Sequence, residues 1–414
     1  MRMRSIEAGL LALAACGSSA TTSNQAAAAS ILGDPPFAAT SIATFNSPWA
    51  MDFLPGSGLA IVTEKPGRIW LVDLASGHKD EVQGAPRVVL SDQGGLLDVK
   101  LAPTFAADRQ VYLTYSEPSP NGGSGLALAR AELIIGERGG ARLQNLSVLW
   151  HDPAGGEGGQ FGAIVVFAPD GKSLFLSSGE RQRFTPAQDP NQPLGKILHL
   201  TLEGKPAPDN PMAYRRGSPT VTITDPPRDT QAAANAPGRR IRWPGENLTP
   251  SETWSTGHRN PYGLAFDAEG RLWETEMGPR GGDELNLILP GRNYGWPLVS
   301  NGMNYDGNPI PPHSTRPDLE APKLYWTPVI SPTSLVIYDG KLFPQWKGSG
   351  FIGALSGKAL VRVTFDGDTA RKADRWDMGN RIRWVGEGPD GAIYLLEDED
   401  GARLLRLTPA QRRQ

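Results

Sequence analysis

Three features of the 414-residue sequence predict an all-β protein, a six-bladed β-propeller. Short apolar strands recur along the chain, turns rich in glycine and proline separate them, and the strands group into six similar units. The 49 glycines and 37 prolines interrupt apolar segments throughout, so we interpret them as tight turns and not as one disordered tract. A pair of β-sandwiches is the competing architecture, but it would not explain six similar units.

Each unit contains an apolar strand, a turn, a second apolar strand and a third strand with alternating aliphatic residues. The six copies begin near residues 50, 95, 164, 262, 334 and 382. A radial arrangement leaves only short strand edges exposed, which favours a propeller. The strand at 38–45 has no partner in the first copy, so we expect it to complete the sixth copy and close the ring. The longest interruption, about 212–248, is polar and predicts a surface insertion that could act as a lid.

The N-terminus predicts export and lipidation. A basic start, Met1–Arg4, precedes a short apolar segment, and Leu13–Cys16 has the form of a bacterial lipobox. We expect residues 1–16 to be a signal peptide whose Cys16 becomes lipidated; an ordinary signal cleaved at a small residue is the alternative. Residues 17–35 predict a flexible tether and 36–410 the propeller. The expected location is the periplasm or cell envelope, with membrane contact only through a lipid at Cys16.

Charge and cysteine content narrow the function classes. The net charge of −3 argues against a nucleic-acid partner, which would require a basic face. Cys16 is the one cysteine in the sequence, so we expect no disulfide and a fold stabilised by packing.

Several segments are more specific than a generic blade. They are Gln93–Leu97, Gly257–Leu264, Glu276–Pro279, Gly282–Ile288, Gly291–Pro297 and Asn380–Arg383. Together they resemble the glucose/sorbosone dehydrogenase family, the soluble sugar dehydrogenases that use pyrroloquinoline quinone (PQQ). The resemblance extends from about Ser47 to Leu407.

The resemblance implies a flat quinone cofactor, PQQ, which carries three carboxylates. Arginine grips carboxylates in a bidentate manner and stays charged, and the alternate residues Arg381 and Arg383 should point to one face of a strand. Salt bridging between blades is the alternative for the arginines, and core packing is the alternative for Trp326. The residues that the resemblance assigns to the cofactor are Gln93, Arg259, Asn260, Trp326, Thr327, Ser356, Arg381 and Arg383.

The resemblance also implies calcium. In relatives one Ca²⁺ ion is held partly by main-chain carbonyls that match Gly278 and Pro279, and calcium accepts backbone oxygens readily. A second, structural calcium is expected at Glu284 and the carbonyl of Tyr294.

Two positions depart from the family pattern. Gln160 stands where relatives have a histidine that removes the proton of the sugar's anomeric hydroxyl, and an amide has no useful proton affinity near neutral pH. Glu180 matches an acidic position close to that base, so we expect it to abstract the proton; ion pairing with Arg181 or Arg183 is its alternative role. Ser356 replaces a lysine that contacts the quinone in relatives, although Lys358 lies two residues on.

The sequence therefore predicts PQQ- and Ca²⁺-dependent oxidation of an aldose sugar or a related alcohol. Hydride would pass from the C1 hydroxyl carbon to the quinone, electrons would pass to an envelope acceptor, and Gln160, Glu180 and Arg259 would form the catalytic centre. The alternative is a propeller that binds PQQ, a sugar or a protein partner without turnover, which the changes at Gln160 and Ser356 favour. A lactonase-type hydrolase would need metal-binding carboxylates in the central channel, and we find no such matched set.

Overall fold

A computed structural model describes residues 35–120, 122–136, 140–224 and 238–410. The predicted signal peptide, Cys16 and nearly all of the predicted tether lie outside these ranges. No helix within them combines the length and the apolar character that a membrane span requires.

The described chain folds as a six-bladed β-propeller with little helix. The first two blades and the strand before them comprise β1 (Phe37–Asn46), β2 (Pro48–Phe53), β3 (Leu59–Glu64), β4 (Arg68–Asp73), β5 (Lys79–Gln83), β6 (Leu96–Leu101), β7 (Gln110–Pro118), β8 (Ser124–Ile135) and β9 (Ala141–His151). Blade three and the insertion comprise β10 (Gly162–Phe167), β11 (Ser173–Ser178), β12 (Lys196–Thr201), β13 (Thr220–Thr224), β14 (Gly238–Arg242) and β15 (Thr253–Thr256).

The last three blades complete the ring. Their strands are β16 (Pro261–Phe266), β17 (Leu272–Glu276), β18 (Asp283–Ile288), β19 (Leu324–Trp326), β20 (Pro332–Ile337), β21 (Gly350–Ala354), β22 (Ala359–Asp366), β23 (Thr369–Asp377), β24 (Ile382–Glu387), β25 (Ile393–Glu397) and β26 (Asp400–Pro409). Single helical turns occur at Phe105–Asp108, Thr185–Gln188, Thr249–Glu252, His313–Thr315 and Pro344–Trp346.

Each blade is a four-stranded antiparallel sheet, and the inner strands β2, β6, β10, β16, β20 and β24 pack against one another in a closed ring. The outer strands of blades one and two also pair, because β5 runs parallel to β9 with Val82 opposite Ala141. This pairing joins the two blades into one eight-stranded sheet.

The N-terminal strand closes the ring, as predicted. β1 pairs antiparallel with β26, from Phe37 opposite Pro409 to Asn46 opposite Asp400, and becomes the outer strand of blade six. Phe37 and Phe45 of this strand are buried. The first and the last described strands are thereby joined by a strand ladder and by apolar burial.

A recurring hydroxyl group links neighbouring blades close to the axis. In each case a threonine or serine near the inner strands donates to a main-chain carbonyl at or beside the start of the next inner strand. The donor and acceptor pairs are Thr63 to Leu97 (2.6 Å), Thr114 to Ala163 (2.7 Å), Ser177 to Pro261 (2.9 Å), Thr275 to Thr333 (2.9 Å) and Thr333 to Ile382 (3.1 Å). These bonds fix the strand ends from which the site residues project.

The insertion predicted at 212–248 contains the β13–β14 hairpin, and 225–237 lie outside the described residues. The hairpin has a small core of its own, formed by Val221, Ile223, Ile241 and Trp243 together with Ala154. Ala154 belongs to the loop that leads to Gln160. The insertion therefore packs beside the candidate site, and its role as a lid stays a prediction.

Candidate active site

The predicted site residues gather at the face where the inner strands begin. Gln93 precedes β6, Gln160 precedes β10, Arg259 and Asn260 precede β16, and Arg381 precedes β24. Since the inner strands surround the axis, residues at these starts lie around the axis at one end of the propeller.

Gln93 connects two of these strand starts. Its Oε1 atom accepts hydrogen bonds from the backbone N–H of Gln160 (3.0 Å) and the hydroxyl of Tyr262 (2.9 Å), with a longer contact from Nδ2 of Asn260 (3.4 Å). All four residues are hydrogen-bonded into one network. The sequence singled out Gln93, Gln160 and Asn260 as site residues but assigned no role to Tyr262.

Gln160 lies between Glu180 and Arg259. The groups around its amide assign the orientation: the nitrogen donates to the Glu180 carboxylate, and the oxygen accepts from Nη2 of Arg259 at 2.9 Å. Gln160 is buried and has a positive φ of 58°, in the left-handed region that non-glycine residues rarely adopt. The structure thus brings all three predicted catalytic residues together.

Glu180 is a buried carboxylate at the centre of this group. Its side chain is 1% exposed, and it also accepts a hydrogen bond from the backbone N–H of Phe184. Burial raises the pKa of Glu180 above its ordinary value, against the opposing effects of Arg259 and that backbone hydrogen bond. The guanidinium groups of Arg181 and Arg183 donate to backbone carbonyls of the preceding loop.

Arg259 is buried and lies close to two aromatic rings. Its guanidinium carbon is 5.2 Å from the ring centre of Trp296 and 5.7 Å from that of Tyr305, which is 68% exposed. Nη1 donates to the carbonyls of Met277 (2.9 Å) and Gly278 (2.8 Å). Within the described residues its buried Nε has no hydrogen-bond partner. Sequence reasoning missed both aromatic neighbours.

Arg381 and Arg383 point to the same side of their strand, as predicted. Nε of each donates to the Asp398 carboxylate, at 2.8 and 3.0 Å respectively. Although burial opposes the effect, the two guanidinium groups hold the pKa of Asp398 below its usual value. Among the described residues, the terminal nitrogens of both arginines form no hydrogen bond. They remain available as donors.

Three buried carboxylates meet behind Arg259. Nδ2 of Asn286 contacts oxygens of Glu274 (3.0 Å), Glu276 (3.3 Å) and Glu284 (3.2 Å). Burial, followed by repulsion from Glu276, raises the pKa of both Glu274 and Glu284 well above the ordinary value. Within the described part of the chain, one group of side chains has the spacing to hold a metal ion, namely His258, Glu274 and Glu276.

A cavity of about 10 Å³ adjoins this cluster, with room for about one water-sized particle. Its lining includes Gly278, Glu284 and Tyr294, three of the four residues predicted to bind metal, together with Glu276. The carbonyl of Tyr294 lies 3.1 Å from Nε2 of His313.

His258 has a structural environment. Its Nε2 is 2.8 Å from Oγ of Ser255 and its Nδ1 is 3.3 Å from Oε1 of Glu276, an order that resembles a hydrolytic triad. Both Ser255 and His258 are almost fully buried. A substrate carbonyl could not reach the hydroxyl, so this group serves to hold Glu276 in place.

The remaining predicted cofactor residues lie elsewhere in blades four and five. Trp326 packs in the core between these blades, with Nζ of Lys372 5.2 Å from its ring centre. Oγ1 of Thr327 accepts from the backbone of Gly282, and exposed Ser356 shares a hydrogen bond with Ser331. Within the described residues no hydrogen bond joins these three to the group formed by Gln160, Glu180 and Arg259.

Fold and site together define a class: a six-bladed propeller with buried polar and cationic groups at one end of its axis. The family model for glucose/sorbosone dehydrogenase matches residues 45–246 and 243–406. The chain belongs to this family.

Individual relatives agree with this assignment. The aldose sugar dehydrogenase YliI of Escherichia coli K12 is 34% identical over 371 residues, which cover 88% of this chain and 90% of the relative. A crystal structure of a glucose dehydrogenase superposes with a TM-score of 0.77 at 38% identity, covering 90% of this chain and 100% of the other. The PQQ-bound aldose sugar dehydrogenase of Streptomyces coelicolor has a TM-score of 0.66 at 27% identity, covering 91% and 99%.

Proposed function

We propose that this protein is a PQQ-dependent dehydrogenase that oxidises aldose sugars at the end of the axis where the inner strands begin. The observation that carries the proposal is the contact of Gln160 with both Glu180 and Arg259, which places a buried carboxylate and a cation at one point. The similarity to a relative named as an aldose sugar dehydrogenase and to a PQQ-bound structure supports it.

The donors at the site fit an anionic, flat cofactor. Among the described residues the terminal nitrogens of Arg381 and Arg383 form no hydrogen bond and can donate to carboxylates, and charge-assisted bonds of this kind are strong. The buried Nε atom of Arg259 also lacks a partner within that part of the chain. Trp296 and Tyr305 supply apolar faces beside Arg259. When bound, the quinone supplies an acceptor for the hydride that leaves the sugar.

Side chains of the protein itself would accept the proton that the sugar's hydroxyl loses. Glu180, as a carboxylate, would take the proton of the sugar's C1 hydroxyl, while the hydride leaves from C1. Gln160 cannot accept that proton, but its amide donates to Glu180 and keeps the carboxylate oriented. The guanidinium group of Arg259 would stabilise negative charge that develops on the sugar oxygen.

Calcium fits the acidic cluster. Glu284, the carbonyl of Tyr294 and Glu276 are hard oxygen donors that border one small cavity, and a divalent cation would neutralise carboxylates that are otherwise costly to ionise. The carbonyls of Gly278 and Pro279 are the proposed ligands of a catalytic calcium, which would polarise the quinone. Since Arg259 already donates to the carbonyl of Gly278, a metal there would share this oxygen with a guanidinium group.

We place the protein in the cell envelope, anchored through Cys16, with an envelope protein or quinone as electron acceptor. β1 runs from Phe37 to Asn46, and the Asn46 end lies beside Asp400 near the site. Phe37, at the start of this strand, therefore lies at the opposite end of the propeller from the site.

A propeller that binds without turnover is the second candidate, because Gln160 replaces the expected base. A lactonase-type hydrolase has less support: the axial cavity of about 170 Å³ is lined by Asp52, Asp98 and Glu387, but the Asp98 carboxylate accepts the backbone N–H groups of Val99 and Val165.

Titration of the purified propeller with PQQ in the presence of Ca²⁺, followed by absorbance, and dye-linked turnover with a panel of aldoses test the proposal. Saturable binding with turnover is expected. Binding without turnover would favour the second candidate. Absence of PQQ binding would contradict the assignment of the arginines to the cofactor under either candidate.

A further inference from the structure

The backbone of the loop that presents Gln160 is held by the loop that follows β11. The first of these loops, 152–161, is rich in glycine and connects β9 to β10. The second contains Glu180, followed by Arg181, Gln182 and Arg183.

All three side-chain nitrogens of Arg181 donate to backbone carbonyls. Nε and Nη2 donate to Gly158 (2.9 and 2.8 Å), Nη2 also contacts Gly156 (3.2 Å), and Nη1 donates to Ser124 (3.0 Å). The guanidinium carbon also lies 3.8 Å from the ring centre of Phe161. Arg181 is 1% exposed, so these contacts replace its hydration.

Arg183 and Gln182 hold the rest of the loop. Nη2 of Arg183 donates to the carbonyls of Gly155 (2.8 Å) and Glu157 (2.9 Å), and Oε1 of Gln182 accepts the N–H of Gly159 (3.0 Å). Together with Arg181, these side chains contact the backbone of every residue from 155 to 159. Gln160 follows directly, and its side chain meets Glu180 from the same segment.

The backbone of both loops is adapted to this contact. Arg181, Gln182 and Phe184 have φ values of 59°, 59° and 60°, in the left-handed region where non-glycine residues are strained. Gly156 has a φ of 105°, and a Cβ atom there would lie 2.3 Å from Nη2 of Arg183. Strain and buried charge both destabilise the fold, so their presence beside the site suggests a role in function.

We propose that Arg181 and Arg183 are positioning residues, which fix the 155–160 loop so that Gln160 holds the Glu180 carboxylate in place for proton abstraction. The proposal rests on the role of Glu180 in the proposed function. Among the described residues, the charged groups that face Glu180 are Arg259, at the start of blade four, and Arg183 and Arg181 on its own loop.

Four variants test the proposal: Arg181→Gln, Arg181→Lys, Arg183→Gln and Arg130→Gln as control. Arg130 is a suitable control because it also donates to a main-chain carbonyl, that of Leu202, in a partly buried position away from the site. The cofactor-loaded protein is assayed for kcat, KM and pH profile. Amide hydrogen exchange of 155–160 and the Glu180 titration, by NMR of carboxyl-¹³C-labelled glutamate, are measured on the full chain without cofactor.

In Arg181→Gln and Arg183→Gln we expect kcat to fall about 10- to 100-fold with KM little changed, because a misplaced group slows chemistry more than binding. Exchange in 155–160 should accelerate about tenfold or more. Loss of the Arg183 cation should raise the pKa of Glu180 and move the acidic limb of the pH profile upward. Arg181→Lys keeps the charge without the forked geometry, so it should recover only part of the rate.

Unchanged loop exchange and an unchanged Glu180 titration in both glutamine variants would overturn the proposal. Equal effects in Arg130→Gln would also overturn it, since they would show general destabilisation. If a glutamine variant fails to fold, Arg181→Lys and the corresponding Arg183→Lys supply the comparison. A wild-type protein without turnover would defeat the proposed function, while exchange and titration would still decide the positioning role.

Discussion

Replacing Glu180 by glutamine should have opposite effects on turnover and stability. Glu180 is 1% exposed, and within the described residues its carboxylate accepts from the amide of Gln160 and the N–H of Phe184. An amide keeps the size and the acceptor oxygen but cannot take a proton. Because general-base catalysis contributes about 10²- to 10⁴-fold, we expect kcat to fall within that range while KM changes little.

The stability effect follows from the raised pKa of Glu180, which burial causes. A carboxyl group whose pKa is higher in the folded state stabilises the protein below its unfolded-state pKa. That contribution is lost as pH rises through the folded-state pKa. Each unit of difference corresponds to about 1.4 kcal/mol. Glu180→Gln should therefore unfold like the wild type in acid and be more stable above the folded-state pKa.

The assays are dye-linked turnover at saturating sugar and urea denaturation from pH 4 to pH 8. Glu246→Gln is the matched control, because Glu246 is 71% exposed and forms a surface pair with Arg216. Wild-type turnover in Glu180→Gln would refute its role as the base. A stability difference that does not change with pH would refute the argument from its buried environment.

Four further outcomes are expected. Gln160→His should raise kcat about tenfold or more, because an imidazole next to Glu180 restores a base, and stopped-flow rates measure it. Arg383→Gln should weaken PQQ binding about 10- to 100-fold in an absorbance titration, through loss of a charged donor. Ca²⁺ should stabilise the wild type in thermal melts by about 2.7 kcal/mol at 100 times Kd, and Glu284→Gln should abolish that stabilisation. Phe45→Ala should cost about 3–5 kcal/mol in urea denaturation, because Phe45 is buried in the closing strand.

Much of the fold could be predicted because its signals are local. Inner and middle strands such as β10 and β11 are apolar and short, and the unpaired strand at 38–45 required a distant partner. The outer strands carried weaker signals: β23 is mostly exposed and polar, and its strand conformation depends on pairing with β22. The hairpin in the insertion was missed, although Val221 and Ile223 alternate with polar residues on one of its strands.

Site residues that lie within family motifs, such as Arg259, Arg381 and Arg383, could be predicted from the sequence. The side chains that bind these arginines could not, because they come from distant positions in the chain. Asp398 binds both arginines of blade six from the end of a different strand, and Tyr305 reaches Arg259 from a long loop. No local pattern distinguishes such an aspartate or tyrosine from an ordinary surface residue.

Anaerobic mixing of the PQQ- and Ca²⁺-loaded protein with an aldose, followed by absorbance of the cofactor in a single turnover, tests the central claim most directly. We predict that the quinone spectrum is replaced by that of the reduced form, stoichiometrically with sugar oxidised. The rate should depend on pH with a limb that Glu180→Gln removes. A loaded protein whose spectrum stays unchanged with every aldose tested would contradict the assignment as a sugar dehydrogenase.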